Sequence, residues 1–297
     1  MKKVHKYQGI LLLFVTLFLV GKDGFCKNSK CKNITREVAF TMDDGSAMYS
    51  RQDEIMEILK KYNISGGFAV NEGSSLNQYN KQELYDNLKK YLLSGHVVFN
   101  HTYLHSNVEK ETFEEFQQDV LKGERILNIV LKENDIQQSK YFRFPFLRVG
   151  ESEEKRAQIK DFLEKNGYII LPITIDTRDW EVERAYMKSV RENNKEKIDK
   201  ISSTYIEYIE SEIEKTEKWS CELLGRNPKH ILLTHAKNIT VDNLENIIKV
   251  FHKKGYKFIS VDDAMKDKIY HIDFMGPKSL SVGGVLSKIE YDRNNQK

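Results

Sequence analysis

Glu37-Val38-Ala39-Phe40-Thr41-Met42-Asp43-Asp44-Gly45 is the stretch on which the reading of this chain turns. Residues 38–42 are apolar except for Thr41 and carry no charge on either face, the pattern of a strand buried on both sides of a parallel sheet. The strand ends in two adjacent carboxylates, and burying either is costly unless it is paired. Side chains alternate along a strand, so both acids enter one pocket only where the chain turns, which Gly45 permits. One acid then suits a metal and its neighbour suits a base; the competing reading is a surface Asp-Asp-Gly turn.

Outward from this strand, short β-rich runs recur at residues 67–70, 96–99, 141–144, 168–175, 230–234 and 258–261. Amphipathic helical patterns at 51–62, 81–93, 112–131, 153–166 and 241–254 separate them. Gly95, Gly167 and Gly255 stand at or just past helix ends, where a left-handed residue is often needed. Strand and helix alternating at this spacing predict an α/β fold, either a parallel sheet or a (β/α) barrel. Residues 181–222 are charged and helical with no strand inside, and read as a helical insertion between two strands, with a lid or subsite wall as its candidate role. Residues 270–297 have weak periodicity and read as a loose tail.

Of the 297 residues, 40% are apolar and 31% charged, which excludes a disordered or collagen-like chain. The formal charge of +3 resides in residues 1–26, where Lys2, Lys3, Lys6 and Lys22 face Asp23. The rest is near neutrality, so no nucleic-acid partner is expected. The same residues read as a signal peptide: a basic start, an apolar run over residues 10–20, and small residues before a cleavage point after Cys26. An uncleaved anchor is the alternative, although a membrane span needs roughly 20 residues. Any membrane contact is therefore expected only through residues 10–20. Export would leave Cys31 and Cys221, which either pair in an oxidising compartment or remain unrelated thiols.

Chemistry-bearing residues gather at the predicted C-terminal ends of the strands, where β/α folds place their active sites. After the 96–99 strand comes His101-Thr102-Tyr103-Leu104-His105, whose two His converge on one metal if the segment is helical or tightly turned. Two His with one Asp leave open positions for water and substrate. Arg143-Phe144-Pro145-Phe146 offers an Arg able to hold a carboxylate by bidentate hydrogen bonds. Asp176-Thr177-Arg178-Asp179-Trp180 sets a Trp beside acids, either walling a pocket or filling a core. Leu232-Leu233-Thr234-His235 ends an apolar strand in a His, which is structural if alone and a general acid beside a metal.

In this order the five segments resemble the motifs of the polysaccharide deacetylase family, carbohydrate esterase family four, over residues 36–266. The resemblance implies a distorted (β/α) barrel over 36–266, to which the reading of the residues adds the helical insertion, a signal peptide at 1–26 and a tail at 267–297. It implies that Asp43 is the catalytic base, that Asp44, His101 and His105 bind a divalent metal, most suitably Zn²⁺, and that Arg143 orients the base. His235 becomes the general acid, tuned by Asp179 or, secondly, Asp176. Trp180 lines the pocket, and Phe146, where the family usually has Tyr, offers its backbone N–H to an oxyanion. Phe144 stands where many members have Pro, no Gly follows Phe146, and Met42 replaces a Phe. The implied reaction removes N-acetyl groups from amino sugars of an exported protein's glycan substrate, whether peptidoglycan, chitin-like or exopolysaccharide. A same-fold amidohydrolase for small N-acyl compounds and a non-catalytic glycan-binding module are the alternatives.

Overall fold

The computed structural model describes residues 31, 34–276 and 281–295, so the signal peptide expected at residues 1–26 lies outside the described residues. Among the described residues eight strands form one sheet: β1 (Glu37–Asp43), β2 (Gly67–Val70), β3 (Val97–Asn100), β4 (Tyr141–Phe142), β5 (Ile169–Ile170), β6 (Ile175–Asp176), β7 (Lys229–His235) and β8 (Lys257–Ile259). Their order is β5-β4-β3-β2-β1-β7-β6, with β8 added to the start of β1, and every strand pair is parallel. The sheet curls into the half-barrel of a (β/α) fold, as the strand–helix alternation predicts.

Eleven helices among the described residues complete the fold. They are α1 (Gln52–Lys61), α2 (Glu72–Leu76), α3 (Lys81–Leu93), α4 (Phe113–Lys122), α5 (Arg125–Glu133), α6 (Glu153–Lys165), α7 (Asp179–Arg191), α8 (Lys195–Leu224), α9 (Asn238–Lys253), α10 (Val261–Met265) and α11 (Val285–Asn295). Two of them start on full capping boxes, Asn80 with Glu83 before α3 and Thr112 with Glu115 before α4.

The central strand divides two cores by its alternation. Val38, Phe40 and Met42 pack outward into the cluster that contains Ile55, Leu88 and Ile247 from the surrounding helices. Ala39 faces the interior with Ala69, Phe99 and Phe142. Thr41 and Asp43 follow Ala39 on that inner face by the two-residue period, which delivers Asp43 to the mouth of the half-barrel. Phe40 is fully buried, and truncating it to Ala should cost about 3–5 kcal/mol.

Several expectations are corrected. The run at 168–175 is two short strands, because Pro172 cannot donate to a ladder. The 112–131 helix breaks at Gly123, where an added Cβ would lie 2.6 Å from the backbone carbon of Thr102. The turn after β1 is made by Asp44 itself, at φ 56°, and not by Gly45. The 181–222 insertion is α7 and α8, and α8 buries Tyr205, Ile209 and Ile213 in the outer core as a barrel helix does, so it is no lid. Residues after 267 do not form a loose tail: Val282, Val285 and Leu286 are buried and α11 is a packed helix. Cys31 and Cys221 form a disulfide that ties the start of the described chain to the end of α8.

Candidate metal centre and its surroundings

Every predicted site segment lies at a C-terminal strand end. Asp43 closes β1, His101 follows β3, Arg143 follows β4, Asp176 closes β6, and His235 closes β7. Asp43 and His235 are register partners across β1 and β7, and Ala236 N donates to Asp43 O at 2.9 Å.

Asp44, His101 and His105 each present a ligating atom, all within 4.8 Å of one another. His105 Nε2 is 3.6 Å from Asp44 Oδ1, and the two imidazole centroids are 5.0 Å apart. The His101 Nδ1 position is 2.8 Å from Arg143 O; with the proton there it donates to that carbonyl and leaves Nε2 unprotonated toward the cluster. Burial and the neighbouring His101 push His105 down to about 4, which leaves its imidazole neutral at ordinary pH and able to ligate. Burial alone would raise Asp44, but His105, His101 and Lys237 together hold it below the usual carboxylate range. Two imidazoles and one carboxylate are a donor set that fits a divalent transition metal.

The histidines do not sit on a helix. The segment is a series of tight turns, with Thr102 at φ 62° and His105 at φ 57°. Asn71 Nδ2 donates to His101 O, Thr102 N donates to Asn100 Oδ1, Leu104 N donates to Asp119 Oδ1, and His105 N donates to Thr102 Oγ1. Gly73 admits this loop: a Cβ there would meet the Tyr103 ring at 2.6 Å.

Arg143 is fully buried and reaches Asp43 through one nitrogen. Its Nη1 donates to Asp43 Oδ1 at 2.6 Å and to Thr41 Oγ1 at 2.9 Å, while Nε donates to Leu171 O. The bidentate grip expected from the sequence is therefore absent. The free side of Asp43 faces the cluster, with Oδ2 3.6 Å from His101 Nε2.

Asp179, not Asp176, holds His235. Asp179 Oδ1 accepts from Trp180 N and pairs with His235 Nδ1 at 2.7 Å; Oδ2 accepts from His235 N and from Thr240 Oγ1, each at 2.6 Å. Burial opposes a charged imidazole, but the Asp179 hydrogen bond and charge, with Asp43 and Asp44, push His235 up to about 9. Asp176 instead accepts from Arg178 N in the turn before α7, and burial raises it. Phe146 lies edge-on to His105 at 4.7 Å and is 58% exposed; Trp180 is 53% exposed at the start of α7.

A family model described as polysaccharide deacetylase matches residues 30–165, which include Asp43, Asp44, His101, His105, Arg143 and Phe146. Over these residues the chain is similar to the polysaccharide deacetylase family. Its similarity to a peptidoglycan-N-acetylglucosamine deacetylase of Bacillus cereus is 30% identity over 48% of this chain, but the match spans under half, 46%, of that relative's length. A chitin deacetylase of Colletotrichum lindemuthianum is 25% identical over 77% of this chain and 79% of its own. Solved structures share the deacetylase fold. A peptidoglycan N-acetylglucosamine deacetylase superposes with a TM-score of 0.54 at 23% identity, covering 77% of this chain and 88% of that one. A family pseudoenzyme from Bacillus anthracis superposes at 0.55 with 18% identity, covering 78% and 66%.

The sequence left several supporting residues of this site unmarked. Thr41 Oγ1 accepts from Arg143, Thr240 donates to Asp179, Asn71 and Asp119 shape the histidine loop, and Lys237 Nζ is 3.6 Å from Asp44 Oδ2. Lys237, two residues after His235, had the one usable signal, a cation just past a chemistry-bearing strand end.

Proposed function

We propose that the chain is a metal-dependent N-deacetylase that hydrolyses acetamido groups of amino sugars in a glycan, yielding acetate and a free amine. The observation that carries this reading is the convergence of two prepared proton-handling acids on one metal-type cluster. Asp43 is held by Arg143 with one oxygen turned toward His101, and the Asp179–His235 pair is kept protonated. Asp44, His101 and His105 would hold the metal, and Zn²⁺ suits that donor set best.

When bound, the metal supplies acidity to a water and polarises the acetamide carbonyl. Asp43 takes the proton of the attacking water. Arg143 keeps that carboxylate aimed, and Thr41 keeps Arg143 in place. The Phe146 N–H is offered to the oxyanion that develops on the carbonyl oxygen. His235 gives its Nε2 proton to the amine nitrogen as the C–N bond breaks, because the amine is too basic to leave unprotonated. Thr240 and Trp180 N–H hold Asp179, which keeps Nδ1 of that imidazole engaged.

Exposed Phe146 and Trp180 at the mouth favour a polymer over a small N-acyl compound, since an open aromatic rim suits a chain of sugars. Peptidoglycan and chitin are the substrates in the names of similar proteins, and exopolysaccharide has the same acetamido chemistry. The disulfide supports an exported, envelope or secreted location. Among the described residues no helix is long and apolar enough to cross a membrane. We assign residues 36–266 to the catalytic domain.

Acetate release from peptidoglycan, chitin oligomers, exopolysaccharide and small acetamides, with chelator and with Zn²⁺ restored, tests the proposal. We expect release from at least one polymer, lost with chelator and regained with Zn²⁺. Full activity in Asp43→Asn, or release indifferent to chelator, overturns it.

A further inference from the structure

The sheet is open between β5 and β6, and the C-terminal segment crosses that opening. Ser281 forms an antiparallel bridge with Arg148, Val282 N donates to Leu147 O at 2.9 Å, and Ile173 N donates to Val282 O at 3.2 Å. One residue thus links the turn after β4 to the segment joining β5 and β6. Val282 is fully buried and belongs to the interior cluster with Phe144, Val149 and Ile173, while Val285 and Leu286 bury the start of α11 beside it. Gly283 touches the same turn: a Cβ there would lie 2.7 Å from Leu147 Cδ1.

The turn it grips is the one that bears Phe146. Phe146 and Leu147 both have left-handed backbones, at φ 56° and 58°, and neither is a glycine. Two consecutive residues in that region are costly and persist only where the surroundings over-determine them. Inside the turn, Leu147 N donates to Phe144 O and Arg148 N donates to Pro145 O, which closes the loop but does not fix its tilt against the barrel. A backbone anchor from outside the turn is the Val282 N–H on the Leu147 carbonyl, with Gly283 packed on the Leu147 side chain.

We propose that residues 281–283 are a strap that positions the Pro145–Leu147 turn and so aims the Phe146 N–H at the reacting carbonyl. Val282 is its positioning residue. The inference rests on the deacetylase reading for its catalytic consequence, while the mechanical link between strap and turn stands apart from that reading.

The test uses the full chain with Val282→Pro, which removes the N–H that holds Leu147 O, and Gly283→Val, which crowds the Leu147 side chain. Leu286→Ala, which loosens α11 without touching the turn, is the control. Amide hydrogen exchange is followed in peptides covering residues 143–149 and 100–106, alongside acetate release and Zn²⁺ affinity. We expect exchange in 143–149 to accelerate roughly tenfold or more in the first two variants, with 100–106 unchanged. We expect kcat to fall about 10–100-fold, with KM within about twofold and Zn²⁺ affinity unchanged, because a misaimed oxyanion donor loses part of the roughly 10²–10³-fold it supplies. Leu286→Ala should keep kcat. If Val282→Pro does not fold, Gly283→Val alone decides. Unchanged exchange in 143–149, or a kcat loss no larger than that of Leu286→Ala, overturns the proposal. A wild-type chain that releases no acetate sinks the deacetylase reading instead, and exchange still decides the strap.

Discussion

His105 and His235 both face the Asp43–Asp44 pair, and burial disfavours the charged imidazole in each, yet they end at opposite protonation states. His105 has Asp44 at 3.6 Å with no closer carboxylate, and it shares its space with His101; it is held near 4. His235 has Asp179 in direct contact at 2.7 Å, itself fixed by three further donors, and it is held near 9. A neutral imidazole can ligate a metal and a protonated one can serve as an acid, so under the proposed function one pocket would separate metal binding from proton donation chiefly by a single carboxylate. That carboxylate is Asp179, on a helix reached more than seventy residues after the metal-side loop.

The strongest way to break the comparison is to remove the ligand side. His101→Ala or Asp44→Ala should abolish tight Zn²⁺ binding in chelator competition and lower acetate release by at least about 10³-fold. His235 should keep its elevated titration in metal-free protein, because Asp179 is untouched; tight Zn²⁺ binding retained by both variants would remove the ligand assignment. Next comes the acid side. Asp179→Asn should bring the His235 midpoint, read by NMR, from about 9 toward the ordinary value of about 6.5. Activity should drop roughly 10²–10⁴-fold while Zn²⁺ binding persists. An unmoved midpoint would show that something other than Asp179 holds the proton.

The same pair enters global stability. The folded value of His235 is raised above its unfolded value, so its contribution is fully present below about pH 6.5 and is lost as pH rises through about 9. A rise from about 6.5 to about 9 corresponds to on the order of 3 kcal/mol. Urea unfolding at pH 6 and pH 10 should therefore show wild type losing that much more stability than Asp179→Asn over the interval. Parallel curves for the two proteins would deny the linkage.

What could be read from the chain follows from the same contrast. Chemistry demands particular residue types at strand ends, so Asp43, Asp44, His101, His105, Arg143, Asp179 and His235 announce themselves by type and position. The residues that hold them do not. Thr240, Thr41, Asn71 and Asp119 are ordinary polar residues on distant elements, and only the fold brings them into contact. Long strands and helices were legible because their period persists: α3 occupies the expected residues 81–93. Short elements were not. β5 and β6 have two residues each, and their apolar run hid the Pro172 break. Ser260 and Asp263 cap α10 where the sequence read as continued strand, although the Ser-x-x-Asp spacing was visible. The glycines at 283 and 284 masked the buried spacing of Val282, Val285 and Leu286, so a packed segment read as a tail.

The mildest perturbation sharpens the comparison most. Thr240 donates to Asp179 Oδ2 and touches neither His235 nor the metal cluster by any hydrogen bond in the structure. Replacing it with Val keeps the shape and deletes one donor to a buried charge, a loss of about 1.5–3 kcal/mol by the usual worth of such a bond. Asp179 keeps the Trp180 and His235 backbone donors, so its charge stays opposite the imidazole. Thr240→Val should therefore lower stability in urea by about that amount and lower acetate release by no more than about tenfold, with the His235 midpoint still far above 6.5. If the midpoint fell to the ordinary value, the hydroxyl rather than the carboxylate would govern the proton on His235. The difference between the two histidines would then depend on a hydrogen-bond network and not on a charge pair.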